Sequence, residues 1–304
     1  MTPSRQKTLA ATAAVAIGNS IFGFSFMFSR MALRVATPFV MLAFRFVIAF
    51  ALILLVALWA RKSGRQDFLR FQLRGKPIGK LVLLGLIQPV IYFICESYGV
   101  SMTNSTVSGV IIAVIPIVAL AAGYVFMGEK PSVKQVLFSL LSIAGVIVMT
   151  LQQSAAGTIR PLGIVLLLGA VASAAAFNLL SRRLSTVFSP LERTYIMMLM
   201  AAICFTVPAL IECGGNPLLL LAPARDAQFL LSMLYLSSLS SIFAFFCINF
   251  AATVLPVSKS TAFCNLTTIL SVFAGVVFLK EKVTIVSVIA ALVIIIGVFG
   301  VQKE

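Results

Sequence analysis

The sequence of 304 residues repeats itself at a constant offset of 152 residues, which is half of its length. Landmarks of the first half fall on the same residue types in the second half without a gap. The matched positions are Ser29-Arg30 with Ser181-Arg182, Pro38 with Pro190, Ser108 with Ser260, Gly123 with Gly275, Glu129-Lys130 with Glu281-Lys282, and Gly145 with Gly297. Chance does not hold one register over that distance. We therefore predict two structural repeats, residues 1–152 and residues 153–304.

The apolar content of the chain is typical of a polytopic membrane protein. Hydrophobic residues make up 61% of the sequence and charged residues 10%, whereas about 25% of the residues in a soluble domain are charged. A transmembrane helix needs about 20 apolar residues, and this length predicts ten spans, five in each repeat. Numbered one to ten, the predicted spans are residues 11–29, 37–60, 80–101, 105–127, 133–151, 162–180, 190–211, 228–250, 258–279 and 283–301.

The predicted fold class is all-α. Strands of a membrane β-barrel alternate apolar and polar residues, but runs such as residues 46–56 are apolar throughout. The first apolar run carries Asn19 and has no small-residue cleavage site before Arg30. We therefore expect it to be a retained span rather than a cleaved signal peptide.

Lysine and arginine predict the orientation, because they collect on the cytoplasmic side of a membrane. With the N-terminus inside, 16 of the 23 fall inside and six outside, while Arg45 lies within span two. We expect a multi-pass protein of the plasma (inner) membrane with both termini in the cytoplasm. An odd number of spans per repeat makes the two halves inverted, as in many carriers.

Each half ends in a similar set of motifs. The first half contains Ala119, Gly123, Phe126-Met-Gly-Glu-Lys130 and Gly145, and the second contains Ser271, Gly275, Phe278-Leu-Lys-Glu-Lys282 and Gly297. Span one carries Phe24-Ser-Phe-Met-Phe-Ser-Arg30, and span two carries Pro38 followed by Arg45. With these motifs the chain resembles EamA-type members of the drug/metabolite transporter superfamily over essentially its whole length.

This resemblance implies a transporter of amino acids, nucleotide sugars or other metabolites. It also implies a central cavity lined by spans one, three and four and by their counterparts six, eight and nine. Two positions depart from symmetry: Thr268 stands where span four has Pro116, and Met197 stands where span two has Arg45. We therefore expect the halves to bend and pair differently, and the site to be asymmetric.

Two ionisable residues, Arg45 and Glu96, are predicted to lie deep within spans. A charge at the bilayer centre costs about 2.5 to 3.5 kcal/mol on insertion scales, so such a residue needs a partner or a function. Their predicted depths match. One interpretation is a buried ion pair that fixes helix packing; the other is a role in substrate binding or coupling.

Polar residues are also predicted on the cavity-lining spans. Gln88, Tyr92 and Glu96 follow one another at intervals of four residues and so share one face of span three, while Pro89 is predicted to kink that span. Each amide on the other lining spans has two interpretations, a hydrogen bond to substrate or one to a neighbouring helix. These amides are Asn19, Asn178, Asn249 and Asn265.

These patterns predict a secondary transporter that exports an amino acid or a related amphiphilic compound by alternating access. The alternatives are a passive small-molecule channel and a nucleotide-sugar or lipid-precursor translocator of the same fold. The chain has no histidine, and we expect no enzymatic activity, catalytic residue, metal or cofactor. The expected partners are a small-molecule substrate and membrane lipid, with protons left open, and no nucleic acid. We expect a monomer or a homodimer.

Overall fold

The structure is a computed structural model that describes residues 5–63, 71–127, 132–155, 159–255, 260, 263–281 and 284–303. Within these ranges every regular element is a helix, which confirms the all-α class. The main helices are α1 (Arg5–Ala32), α2 (Pro38–Ser63), α3 (Ile78–Met102), α4 (Ser105–Ile112), α5 (Ile115–Met127), α6 (Val133–Ala155), α7 (Pro161–Leu184), α8 (Pro190–Glu212), α9 (Ala227–Val254), α10 (Cys264–Val277) and α11 (Ile285–Lys303). Two short helical segments, Pro217–Leu221 and Ala222–Arg225, lie between α8 and α9.

The lengths of these helices agree with a multi-pass membrane protein. Six of the described helices, α1, α2, α3, α7, α8 and α9, are long and apolar enough to cross a bilayer. Shorter apolar segments occupy the predicted positions of spans four, five, nine and ten. They are Ser105–Ala119, Val133–Val148, Leu266–Val277 and Ile285–Gly300. The total of ten crossings stays a prediction.

Local sequence signals explain where several helices begin. The Ser189 hydroxyl accepts a hydrogen bond from the Glu192 amide, and the Glu192 carboxylate accepts one from the Ser189 amide, so α8 starts with a capping box. The Asn104 side chain caps α4 by accepting a hydrogen bond from the Val107 amide. Since these caps satisfy amides that have no partner within the helix, they define the helix starts.

Two helices are interrupted where the chain contains proline. The backbone of Gln88 is extended, with φ −144° and ψ 119°, and separates the two halves of α3 just before Pro89. The Ile87 carbonyl at this break accepts a hydrogen bond from the Ser173 hydroxyl of α7 at 2.5 Å. In the same way α4 and α5 are separated shortly before Pro116. The extended backbone at Gln88 confirms the predicted kink of span three. Its cause is Pro89, because proline has no backbone N–H to donate within a helix.

Helix packing follows the two-fold pattern of the sequence. Helix α2 packs against α8, α6 against α11, α1 against α9 and α10, and α7 against α3, α4 and α5. Exchanging every helix for its counterpart 152 residues away reproduces these pairs. A hydrogen bond repeats in the same manner: Arg30 donates to the Val100 carbonyl at 3.0 Å, and Arg182 donates to the Ala252 carbonyl at 2.6 Å. Such equivalence is expected of two related halves.

Buried apolar side chains form two large clusters. One surrounds the α2–α8 pair and includes Phe46 and Phe205. The other joins α4, α5, α7 and α11 and includes Ile111 and Leu167. Residues of both clusters, among them Phe93 and Phe26, line one central cavity. The cavity therefore lies where the two packing regions meet.

Candidate functional site

The central cavity is lined by side chains from helices of both halves of the molecule. Residues of α1, α3, α4, α5, α7, α9 and α10 contribute, which agrees with the cavity implied by the resemblance, and Arg45 adds α2 to this set. Much of the wall is aromatic. The phenylalanines of the lining are Phe22, Phe26, Phe93, Phe177 and Phe245.

Most of the predicted site residues meet in this cavity. The structure places six of them in its lining: Asn19, Arg45, Gln88, Tyr92, Glu96 and Asn178. The structure does not bring Asn249 to the cavity, and the side chain of Asn265 lies outside the described part of the chain. The four-residue spacing along α3 therefore predicted a common location for three side chains, although the helix is interrupted at Gln88.

Arg45 is held by the second half of the molecule. Its side chain is 1% exposed, its Nε donates to the Ser241 hydroxyl at 2.8 Å, and its Nη2 donates to the Ser240 hydroxyl at 2.9 Å. The guanidinium carbon lies 4.2 Å from the centroid of the Phe93 ring. Its Nη1 is buried and has no hydrogen-bond partner in the described residues. Part of this cation's hydrogen-bonding capacity therefore remains open.

Sequence reasoning did not assign a role to Ser240 or Ser241. A signal was present, because four serines within five residues, Ser237-Ser238 and Ser240-Ser241, interrupt an otherwise apolar span. Polar residues inside a span face protein or a cavity rather than lipid. What the sequence does not show is that Arg45, almost 200 positions earlier, is their partner.

Glu96 faces the same cavity as Arg45 but is held separately. It is 2% exposed, and its Oε2 accepts a hydrogen bond from the neighbouring Ser97 hydroxyl at 3.2 Å. Among the described residues the ion pair is Lys76 with Glu192, and none joins Glu96 to Arg45. The cavity lining thus carries a basic and an acidic group that attract each other through their charges but form no direct ion pair, so each still lacks a hydrogen-bonded partner of opposite charge.

Polar neutral side chains complete the lining. Gln88 is 6% exposed, and its Oε1 has no hydrogen-bond partner among the described residues. The Asn19 amide donates to the Val15 carbonyl at 2.8 Å, and its Oδ1 accepts from the Thr267 hydroxyl at 3.2 Å. Asn178 is half-buried. Gln88 is therefore free to bond a ligand, whereas Asn19 is already engaged in joining α1 to α10.

Asn249 belongs to a separate polar network that joins α7, α8 and α9. Its Oδ1 accepts from the Ser181 hydroxyl at 2.8 Å, and its Nδ2 donates to the Thr194 hydroxyl at 3.0 Å. The guanidinium of Arg193 donates to the Asn249 carbonyl and to both oxygens of Ser181. All four residues are buried. Of the two interpretations offered for Asn249, the geometry agrees with helix packing.

The beginning of α8 is more deeply buried than the sequence suggested. The sequence predicted two deeply placed ionisable residues, Arg45 and Glu96, yet Glu192 and Arg193 are also fully buried. Lys76 approaches the Glu192 carboxylate to 2.6 Å, and the Gln72 amide donates to it at 2.6 Å. Glu192 is therefore a second buried acid, and its partners Lys76 and Gln72 lie in the connection between α2 and α3.

Glu281 and Gly275, two positions of the repeated motif, pack against the first turn of α4. Glu281 accepts hydrogen bonds from the amides and hydroxyls of Ser105 and Thr106, at 2.7 to 3.0 Å, and so caps that helix. A Cβ atom at Gly275 would lie 2.5 Å from the Thr106 hydroxyl oxygen, so only glycine fits there. The corresponding Glu129-Lys130 of the first repeat and Lys282, which follows Glu281, lie outside the described residues.

The sequence matches a known family profile twice. The profile of the EamA-like transporter family aligns with residues 9–151 and again with residues 161–302. The uncharacterized transporter YcxC of Bacillus subtilis (strain 168) is 31% identical over 298 residues, which cover 97% of this chain and 93% of the relative. The uncharacterized transporter YetK of the same organism is 25% identical over 297 residues, covering 97% of this chain and 87% of the relative.

More distant similarities span the same length. An uncharacterized transporter of Archaeoglobus fulgidus is 20% identical over 293 residues, covering 95% of this chain and 98% of the relative. One solved crystal structure has a TM-score of 0.65 and 17% sequence identity, and the match covers 98% of this chain and 96% of the other. At that identity the structural match shows a shared fold.

Proposed function

We propose that this chain, which belongs to the EamA-like transporter family, is a secondary carrier that exports an amino acid or a related amphiphilic compound. Family membership identifies a multi-pass membrane transporter and indicates this activity rather than an enzymatic one. The substrate, the direction and the mechanism are our proposal. The central cavity is where we place the transported molecule.

One observation carries the proposal: the same cavity presents Arg45 and Glu96 without an ion pair between them. Removing two opposite charges from water without pairing them is unfavourable. A molecule with a carboxylate and an ammonium group would neutralise both. The phenylalanines around these charges would contact an apolar side chain, as most ligand pockets combine an apolar wall with a few polar groups.

Alternating access is supported by the equivalence of the helix pairs. Because α1 packs against α9 and α10 as α7 packs against α3, α4 and α5, two related arrangements of the same helices are available. Carriers built from inverted repeats exchange such arrangements around a central site. We propose that both termini face the cytoplasm at the plasma membrane, on the basis of the lysine and arginine distribution.

The proposal is tested first by ligand binding. The purified protein is heated in the presence of single amino acids and other metabolites, since a ligand of the native state raises the unfolding temperature. Each stabilising compound is then loaded into vesicles that contain the protein, and its efflux is measured. We expect at least one amphiphilic amino acid to stabilise the protein and to leave the vesicles. Stabilisation only by compounds that are not transported would contradict the proposal.

The inverted arrangement is tested by labelling. Lys130→Cys and Lys282→Cys are introduced separately into a variant in which the five native cysteines are replaced by serine or alanine. A membrane-impermeant thiol reagent is applied to intact cells and to inverted vesicles. We expect the two positions to react from opposite faces of the membrane. Reaction of both from one face would contradict inversion.

A further inference from the structure

We propose that Arg45 binds a carboxylate of the transported substrate, and that Ser240 and Ser241 are positioning residues that hold its guanidinium group ready. The inference rests on the proposed function, because it places the substrate in the central cavity. It also predicts how the substrate is oriented in the cavity, with its carboxylate between α2 and α9.

The hydrogen bonds of Arg45 leave donors available. A guanidinium has five N–H donors. The Ser241 and Ser240 hydroxyls accept from Nε and Nη2, while the buried Nη1 has no partner among the described residues. A buried charged donor without a partner is destabilising. An anion beside Nη1 would remove that penalty, so the unpaired donor favours the binding of an anion.

The Arg45 guanidinium is also held by an aromatic contact that uses none of its N–H donors. The guanidinium carbon lies 4.2 Å from the centroid of the Phe93 ring, and this contact attracts a cation through the ring face rather than through N–H groups. The two serines come from α9, whereas Arg45 comes from α2 and Phe93 from α3. Contacts from two other helices, α3 and α9, therefore hold the guanidinium in an orientation in which Nη1 has no partner among the described residues.

The chemistry of the lining favours a carboxylate over other ligands. Arginine donors match the planar geometry of a carboxylate. Arg45 is the one basic residue in the described lining, so a multiply charged phosphate compound would remain largely uncompensated. Glu96 in the same lining carries the opposite charge and can receive an ammonium group. Gln88, whose Oε1 also has no hydrogen-bond partner within the described ranges, offers an additional acceptor.

The experiment uses three compounds that share a phenyl group and differ in charge. Phenylalanine carries both charges, 3-phenylpropanoate only the negative one, and 2-phenylethylamine only the positive one. Thermal unfolding of the purified full-length protein gives an apparent affinity for each. We expect phenylalanine and 3-phenylpropanoate to bind to the wild type at least about tenfold more tightly than the amine, as expected for a charge-assisted hydrogen bond.

The positioning role is tested with Ser240→Ala combined with Ser241→Ala. This variant keeps Arg45 but removes both acceptors, and we expect a loss of about tenfold in affinity for the two carboxylates with no change for the amine. Ser238→Ala is the matched control, because the Ser238 hydroxyl donates to the Leu234 carbonyl of its own helix and does not line the cavity. Arg45→Lys retains the charge without the guanidinium geometry and should bind carboxylates with intermediate affinity.

The outcomes separate this inference from the proposed function. If the wild type binds the amine as tightly as the acids, or if the double serine variant weakens all three compounds equally, the role of Arg45 in binding a carboxylate is contradicted. The carrier assignment then stands as long as vesicles transport the amine. If vesicles move no member of this set and none of the amino acids of the binding screen, the proposed function fails and the inference fails with it.

Discussion

The two most deeply buried arginines in the described part of the chain have different surroundings. Arg45 on α2 and Arg193 on α8 are 1% and 0% exposed, and their helices pack against each other. The Nη1 and Nη2 atoms of Arg193 donate to backbone carbonyls and to a hydroxyl that belong to α7 and α9. Arg45 donates to two hydroxyls of α9. Each arginine keeps one nitrogen without a hydrogen-bond partner in the described residues, Nη1 in Arg45 and Nε in Arg193, so an unpaired donor is common to both. Burial alone therefore does not identify a substrate-binding arginine.

The position of each arginine relative to the cavity explains this difference. Arg193 lies in the first turn of its helix, outside the cavity lining, and its terminal nitrogens have partners that helix packing fixes. Arg45 lies farther along its helix and forms part of the lining. We propose that Arg193 stabilises the fold, whereas Arg45 binds the substrate. The following predictions test that contrast.

The largest expected effect is on folding. Arg193→Gln should lower the free energy of unfolding by about 3 kcal/mol, because buried acceptors left without a donor each cost about 1 to 3 kcal/mol. Chemical or thermal unfolding in detergent measures this loss. The KM of the protein that remains folded should stay within about twofold of the wild-type value, well under the 1.4 kcal/mol of a tenfold change. A raised KM with unchanged stability would reverse the assignments of the two arginines.

The next effect is on transport. Arg45→Gln should reduce kcat/KM in vesicles about 100-fold, since a hydrogen bond to a charged group contributes about 1.5 to 3 kcal/mol. Glutamine still donates a hydrogen bond, so we expect the variant to be folded and to elute as the wild type does in size-exclusion chromatography. Wild-type transport by this variant would exclude Arg45 from the substrate site.

Glu96→Gln should give a smaller loss, about tenfold for an amino acid, because the amide remains polar but no longer attracts an ammonium group through its charge. Transport of 3-phenylpropanoate should change little, since that compound has no ammonium group. Initial rates measured across a range of pH values test coupling in the same experiment. Wild-type rates together with an unchanged pH dependence would contradict both a substrate role and a proton role for Glu96.

The smallest effects should separate two asparagines that looked alike in the sequence. Asn178 lies in the cavity lining, and Asn178→Ala should raise KM about threefold. Asn249 belongs to the network around Arg193, and Asn249→Ala should lower the free energy of unfolding by about 0.6 kcal/mol, the mean for a polar contact between membrane helices. Transport kinetics and thermal unfolding of both variants check this pair. The comparison would be overturned if Asn249→Ala changed KM and Asn178→Ala did not.

Much of the fold could be predicted because it depends on local sequence patterns. Apolar runs identify the spans, and the constant offset relates equivalent positions in the two halves. The same local geometry predicted that Gln88, Tyr92 and Glu96 would share a location, since residues four apart lie on one face of a helix. These predictions required no knowledge of how one helix is rotated against the next.

The partners of the buried charges could not be predicted, because these contacts join residues that are far apart in the sequence. Ser240 lies 195 residues from Arg45, and Lys76 lies 116 residues from Glu192. Each contact depends on the rotation and depth of two packed helices or of a loop against a helix, and residue spacing does not specify these. Matching depths suggested Arg45 and Glu96 as partners, but depth leaves the direction of a side chain undetermined.

The central claim is that the cavity opens alternately to the two sides of the membrane. Counterflow in reconstituted vesicles tests this claim most directly. Vesicles are loaded with a high concentration of an unlabelled compound that stabilises the protein, diluted, and supplied with a trace of the labelled compound outside. We predict transient accumulation of label above its equilibrium level, and none with Arg45→Gln. Label that only approaches equilibrium, while the same vesicles pass the compound rapidly, would identify a passive channel and contradict the account.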